Sequence, residues 1–354
     1  MLKKIVMGFA IVVVAVICLV GYGVYRLFNQ LGDPVNEEKS DAYYYATDGN
    51  SLVYSPMGNW FELGKTSFQA DLPSFEVLSK SYAKDKNNAY HMYRTIKTAV
   101  DIPSFTVKFD NVPMDKNHVY SLQTNCDTAQ TKVCLQIIKG ADPKTFKKLD
   151  FAFSIDKQHV YYNDTIAPAL DPKTFSSVND YFYKDKLGVY LHQINKPLQK
   201  IAANPENTQM LSSTIIRDAQ SIYMFLSYGR ELIVIPFTDS SSILVGPDSQ
   251  FLRADEHIYY KGKVVPNVDA ESFQLVSKGY FIDKNSVYFQ DQRIEKADVS
   301  TFTMIKYQYG KDKNHVFFEG KIMENADVNS FRYNKEKLQF EDKNHIYRWG
   351  KPKS

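Results

Sequence analysis

No active-site signature runs through this chain of 354 residues. A Gly-x-Ser-x-Gly elbow, a phosphate-binding glycine loop, His-Glu-x-x-His and Cys-x-x-Cys are all missing, which argues against the common hydrolase, nucleotide-binding, metalloprotease and thiol-redox classes. Gly21-Tyr22-Gly23 lies inside an apolar run and has no meaning as a nucleotide motif. Cysteine is scarce, three in all, and no Cys or His pair stands at zinc-ligand spacing. Charge of one sign is also lacking: 43 Lys plus Arg against 40 Asp plus Glu leave +3. The basic residues are scattered, with no stripe of the kind that tracks phosphates, so nucleic acid is not an expected partner. Neither an enzyme nor a bound cofactor is expected.

One long apolar run is present. Lys3 and Lys4 precede an uncharged stretch from Ile5 to Val24. Such a stretch matches a membrane-crossing helix in length, and the flanking cations favour a cytoplasmic N-terminus. The sequence therefore predicts a cytoplasmic residue 1–4 segment, a signal anchor over 5–25 and a polar tether over 26–41. A folded domain over 42–354 lies in the periplasm or outside the cell. A cleavable signal peptide is the competing reading, with a shorter apolar core. Cys18 follows Ile17 rather than a small residue, so it reads as an ordinary apolar helix residue rather than a lipid attachment site.

What is abundant is a short motif that recurs ten times. It reads Asp, usually Lys-Asn, a small or polar residue, an aliphatic residue and an aromatic. Copies start at Asp48, Asp85, Asp115, Asp156, Asp185, Asp218, Asp255, Asp283, Asp312 and Asp342, commonly 28 to 30 residues apart. A fixed period in this range marks a repeat architecture. Asp suits the first position of a turn, where its carboxylate accepts from backbone two residues on. Asp85, Asp115, Asp156, Asp185, Asp283, Asp312 and Asp342 are thus structural turn residues. The position three further on holds Asn88, His118, His159, Gly188, Ser286, His315 and His345. This mixture predicts a left-handed residue closing the hairpin. The Asp255 copy is one residue shorter and predicts a tighter turn.

A strand such as Val160-Tyr161-Tyr162 follows each turn, with β-branched and aromatic residues suited to a pleated surface. Asn163-Asp164, Lys261-Gly262 and Glu319-Gly320 then fit two-residue primed turns. Upstream of most copies stands Asp-x-x-Ser/Thr-Phe, a capped turn that drops one Phe into the core, as in Asp142 to Phe146. The expected fold is an all-β tandem-repeat domain of short antiparallel strands in about ten ~29-residue units behind one N-terminal transmembrane helix. An open curved array is favoured, with a propeller-like ring as the alternative.

Asp-Lys-Asn followed by aromatic pairs, at this period, resembles the bacterial DKNYY repeat family. The resemblance spans about residues 42 to 350. It implies an exported, membrane-tethered or lipid-anchored repeat protein and assigns no chemistry. Asp218-Ala219-Gln220 and Asp255-Glu256-His257 depart from the pattern.

The remaining candidates are few. Cys126 and Cys134 sit in the one 41-residue interval, on what read as the two arms of an extra hairpin, and export makes a disulfide between them the expectation. Five histidines share the turn site, but Ser, Asn and Gly replace them in other copies, so a metal ladder is not expected. The turn acids lack the further carboxylates of a calcium loop. Within each Tyr-Tyr pair, one ring is expected in the core and the other as a cross-strand partner. Extended repeat surfaces serve mainly for binding. The expected function is a non-catalytic, membrane-anchored envelope protein that binds a protein or an envelope polymer. An envelope enzyme with an unrecognised site and a structural spacer are the alternatives.

Overall fold

The computed structural model describes residues 18–22, 31–57, 64–109, 111–123, 132–277 and 279–353. Described residues form ten small sheets, one for each copy of the motif. Helix among them is confined to residues 18–22 and to single turns at Leu72–Ser74, Ile102–Ser104 and Ser240–Ser242. No helix among the described residues is long and apolar enough to cross a membrane. Most of the expected span over 5–25 lies outside the described residues, as does Cys126. The chain divides into two compact units, Met1–Lys173 and Thr174–Ser354.

In the first unit, Tyr43–Tyr45, Leu52–Tyr54 and Thr66–Phe68 make a three-stranded sheet. The tether expectation needs revision here. Val35 donates its N–H to the Tyr43 carbonyl and Tyr45 donates to Asp33, both at 2.9 Å. The ordered domain therefore starts before residue 42, because this segment fills backbone groups that an edge strand would leave unpaired. The extra hairpin is present, with Tyr120–Gln123 antiparallel to Lys132–Ile137. Its second arm also pairs in parallel with Arg94–Ile96, the one departure from antiparallel order among the described strand pairs.

The second unit shows the repeat most regularly. Gln274–Ser277, Tyr280–Ile282, Val287–Phe289 and Gln292–Arg293 form an open meander. Thr303–Lys306, Tyr309–Lys311, Val316–Phe318 and Lys321–Ile322 repeat it. Strands this short bury little by themselves, and the core lies between successive repeats. Tyr280 and Val287 of one repeat share a cluster with Phe317 of the next, and Tyr309 and Val316 share one with Phe340 and Tyr347.

Glycine fixes the contact between repeats. Glu319 and Gly320 have φ of 48° and 76°, as do Lys261 and Gly262 at 48° and 74°, so the primed turns are as the sequence predicts. The N–H of Gly320 donates to the hydroxyl of Tyr280 in the preceding repeat at 2.8 Å. A Cβ on Gly320 would lie 2.7 Å from Cβ of Phe289. Gly350 repeats the arrangement, donating to Tyr309 at 2.9 Å and sitting on Phe318.

Candidate functional site

The recurrent acid is more than a turn residue. In the Asp85 copy, Oδ1 accepts the N–H groups of Asn87 and Asn88, both at 2.7 Å. Oδ2 accepts the N–H of Asp71, fourteen residues upstream, at 2.9 Å, and the hydroxyl of Tyr90 at 2.7 Å. One buried carboxylate thus holds its own hairpin, the opening turn of the unit and the following strand. Asp115 does the same with Asn117, His118, Asp101 and Tyr120. So does Asp156 with Gln158, His159, Asp142 and Tyr161. Asp342 binds Asn344, His345, Asp327 and Tyr347 likewise. Asp283 closes its turn on Asn285 and Ser286 and accepts from Asp269 and Tyr288. Asp185 holds Leu187, Gly188 and Tyr190. Burial alone would raise the carboxyls of Asp85, Asp115, Asp156, Asp218 and Asp342. In each of these the donated hydrogen bonds outweigh burial and the pKa ends below the ordinary value.

A second shared contact closes the unit from outside. Lys86 pairs with Asp71 at 2.6 Å, and its backbone N–H donates to Ser74 Oγ at 3.0 Å. Lys116, Lys284, Lys313 and Lys343 pair in the same way with Asp101, Asp269, Asp298 and Asp327. The lysine and the neighbouring hydroxyls pull Asp101, Asp269 and Asp327 down to about 2. The Ser or Thr of Asp-x-x-Ser/Thr therefore bridges to the next turn besides capping its own.

The left-handed reading of the turn is corrected. Asn88, His118, His159, Ser286, His315 and His345 do not have positive φ, and Gly188 does not either. The Asp carboxylate already takes the N–H of that residue, while the Asp N–H donates to its carbonyl, as for Asp312 and His315 at 3.0 Å. The turn thus closes without a left-handed residue. In the shorter copy Asp255 itself enters the two-residue loop, with φ 51°. It keeps only upstream bonds, to Thr238, Asp239 and Ser242.

The histidine rings lie beside their own carboxylates, with Nδ1 of His159, His315 and His345 at 3.7, 3.8 and 4.0 Å from Oδ1 of Asp156, Asp312 and Asp342. The Tyr161 and Tyr347 hydroxyls approach Nδ1 of His159 and His345 at 3.4 Å. The Asp312 copy has Phe317 in place of that Tyr, and Nδ1 of His315 is buried without a hydrogen-bond partner. Among the described residues no group of three or more His, Cys, Asp or Glu is placed to hold a metal.

Three aromatic pairs divide as expected, whereas in Tyr259-Tyr260 the buried ring, Tyr260, is also the one facing Phe251 across the sheet. Tyr161, Tyr288 and Phe317 are buried, while Tyr162, Phe289 and Phe318 face Phe153, Tyr280 and Tyr309 across the sheet at ring separations of 5.0, 4.8 and 4.7 Å. Cys134 stands opposite Gln123 in the extra hairpin, and Cys18 is a free cysteine.

The bond from Oδ2 to a backbone N–H fourteen residues away was the part hidden in the sequence. Its signal was the constant spacing between the two Asp residues, 71 to 85, 101 to 115, 142 to 156, 269 to 283 and 298 to 312. The DKNYY family matches residues 26–124, 128–243, 251–298 and 291–351. The chain belongs to the DKNYY family. No curated protein and no solved structure matches it. In this member of the DKNYY family the motif Asp binds backbone and, in most copies, the motif Tyr, while the Lys of five copies binds the Asp of the opening turn.

Proposed function

We propose that this DKNYY protein is a non-catalytic, membrane-anchored envelope protein whose repeat domain binds a protein or a cell-envelope polymer. The observation that supports this reading is the engagement of the motif acids. Most are taken up by backbone N–H groups and by a tyrosine, as in Asp85 with Asn87, Asn88, Asp71 and Tyr90, while Asp312 is taken up by backbone N–H groups alone. A carboxylate so saturated is a poor general base, whereas the surfaces of repeat domains serve mainly for binding. Lys3 and Lys4 ahead of the Ile5 to Val24 run orient the domain outward. Outside the cytoplasm Cys126 and Cys134 pair. Gln123 faces Cys134, and Cys126 follows Gln123 by three residues in the sequence.

The test is fractionation and protease shaving of cells producing the full chain, followed by cross-linking and detergent extraction. The reading expects membrane retention, digestion from outside, Cys126 and Cys134 protected from thiol labelling until reduced, and one dominant cross-linked partner. Recovery in the cytoplasm with both thiols labelled would sink it.

A further inference from the structure

Within Thr174–Ser354, one groove combines exposed apolar side chains with basic ones. It has a volume of about 570 Å³ and is rimmed by Tyr307, Leu338 and Trp349, with Lys337, Arg348 and Lys353 beside them. Those three large apolar side chains are 61%, 75% and 69% exposed. No carboxylate lines the groove. The motif lysines, such as Lys313 and Lys343, are paired with acids. Lys337, Arg348 and Lys353 have no acidic partner within 4.0 Å among the described residues.

Tyr307 meets Tyr333 and Phe340 edge-on, both at 6.3 Å, but the turn fold does not account for Trp349. Tyr307, Leu338 and Trp349 each have φ of 51°, a conformation that is unfavourable for bulky residues. The turn position of Trp349 is held by Asn163, Lys261, Gln290 and Glu319 in other repeats, and by Met92, which packs into the core. A polar residue therefore suffices to form this turn. Three bulky residues in a strained conformation converge on one groove that also carries unpaired cations.

We infer that this groove binds an acidic polysaccharide, with sugar rings packed on Trp349 and Tyr307 and sugar carboxylates paired with Lys337, Arg348 and Lys353. The inference rests on the binding function proposed above and names its site and ligand class. Exposed flat rings supply an apolar face for the C–H side of a sugar, and the cations supply charge complementarity. An acidic peptide matches the charge but offers no flat face to the rings.

The test is calorimetric titration of the full chain in detergent with oligogalacturonate, its methyl-esterified neutral form and oligoglutamate. Binding is expected for oligogalacturonate, weakened about tenfold or more by Trp349→Asn and by Lys337→Glu with Arg348→Glu. Thermal melts should show the variants folded, since Asn suits this turn. The neutral form and oligoglutamate should bind far more weakly. Three outcomes overturn the inference: no binding of oligogalacturonate, equal binding of oligoglutamate, or binding undiminished in the variants. The last would leave polymer binding in place and move its site, whereas a cytoplasmic location with free thiols would remove the underlying reading instead.

Discussion

The N–H of Asp142 donates to Oδ2 of Asp156 at 3.0 Å, across fourteen residues of chain. The same carboxylate closes its own turn through Oδ1 and accepts the Tyr161 hydroxyl. A unit of about 29 residues is too small for a core of its own, and this three-way bond ties its turn, its opening segment and its following strand together. The conserved-looking spelling of the motif within this chain thus follows from hydrogen-bond geometry.

Phe317 provides a direct check. Phe317→Tyr should stabilise the protein by about 0.5–1.5 kcal/mol, because the new hydroxyl meets Oδ2 of Asp312 and approaches the unpartnered Nδ1 of His315. Tyr161→Phe should cost a similar amount in the opposite direction. Urea unfolding of both variants measures this. Destabilisation by Phe317→Tyr would show that the Asp312 unit has no room for the bond its relatives make.

Stability should fall at both ends of the pH scale. Asp101, Asp269 and Asp327 have folded pKa values of about 2, below the ordinary carboxylate value near 4. A lowered folded pKa contributes stability that is full above the unfolded pKa and is lost as pH falls through the folded one. The loss should run from about pH 4 down to 2. Burial, together with the Asp185 carboxylate, pushes Tyr190 up to about 12. A raised folded pKa gives the opposite sign, so stability falls as pH rises from about 10 to 12. Thermal melts should be flat between about pH 7 and 8, with a further loss below about pH 6.5, because burial and then Arg94 lower the pKa of His91 and the unfolded chain takes up that proton first. A Tm unchanged down to pH 2.5 would contradict the assigned hydrogen bonds.

Gly320→Ala should cost more than Gly49→Ala. Both glycines have positive φ, 76° and 70°, so both substitutions carry a left-handed penalty of about 1–2 kcal/mol. Only Gly320 also meets a neighbour, Phe289 at 2.7 Å, while Gly49 has nothing within 4 Å. Denaturant melts of the two variants isolate the contact between repeats. Equal losses would mean the turn of one repeat does not press on the preceding one.

The sequence carried the fold class well. Period, turn residues and alternating aromatics are local signals, and Glu319-Gly320 formed the turn its composition predicts. Its error lay at His315, where the Ser, Asn, Gly and His mixture suggested a left-handed residue. The Asp312 carboxylate satisfies that amide directly and removes the need. The bond from Asp156 to Asp142 was hidden because it joins separate segments, and only the constant spacing hinted at it. Trp349 was passed over for a related reason. Its oddness is visible only once Asn163, Lys261, Gln290 and Glu319 are seen at the same turn.

The most direct measurement is amide hydrogen exchange in Asp156→Asn. Asn has one acceptor oxygen where Asp has two, so it cannot serve both the Gln158 and His159 amides on one side and Asp142 on the other. One side should lose protection by about tenfold or more, with Asp142 the expected loser if the turn retains the oxygen. Unchanged protection at Asp142, Gln158 and His159 together would contradict the claim that this one carboxylate holds the unit.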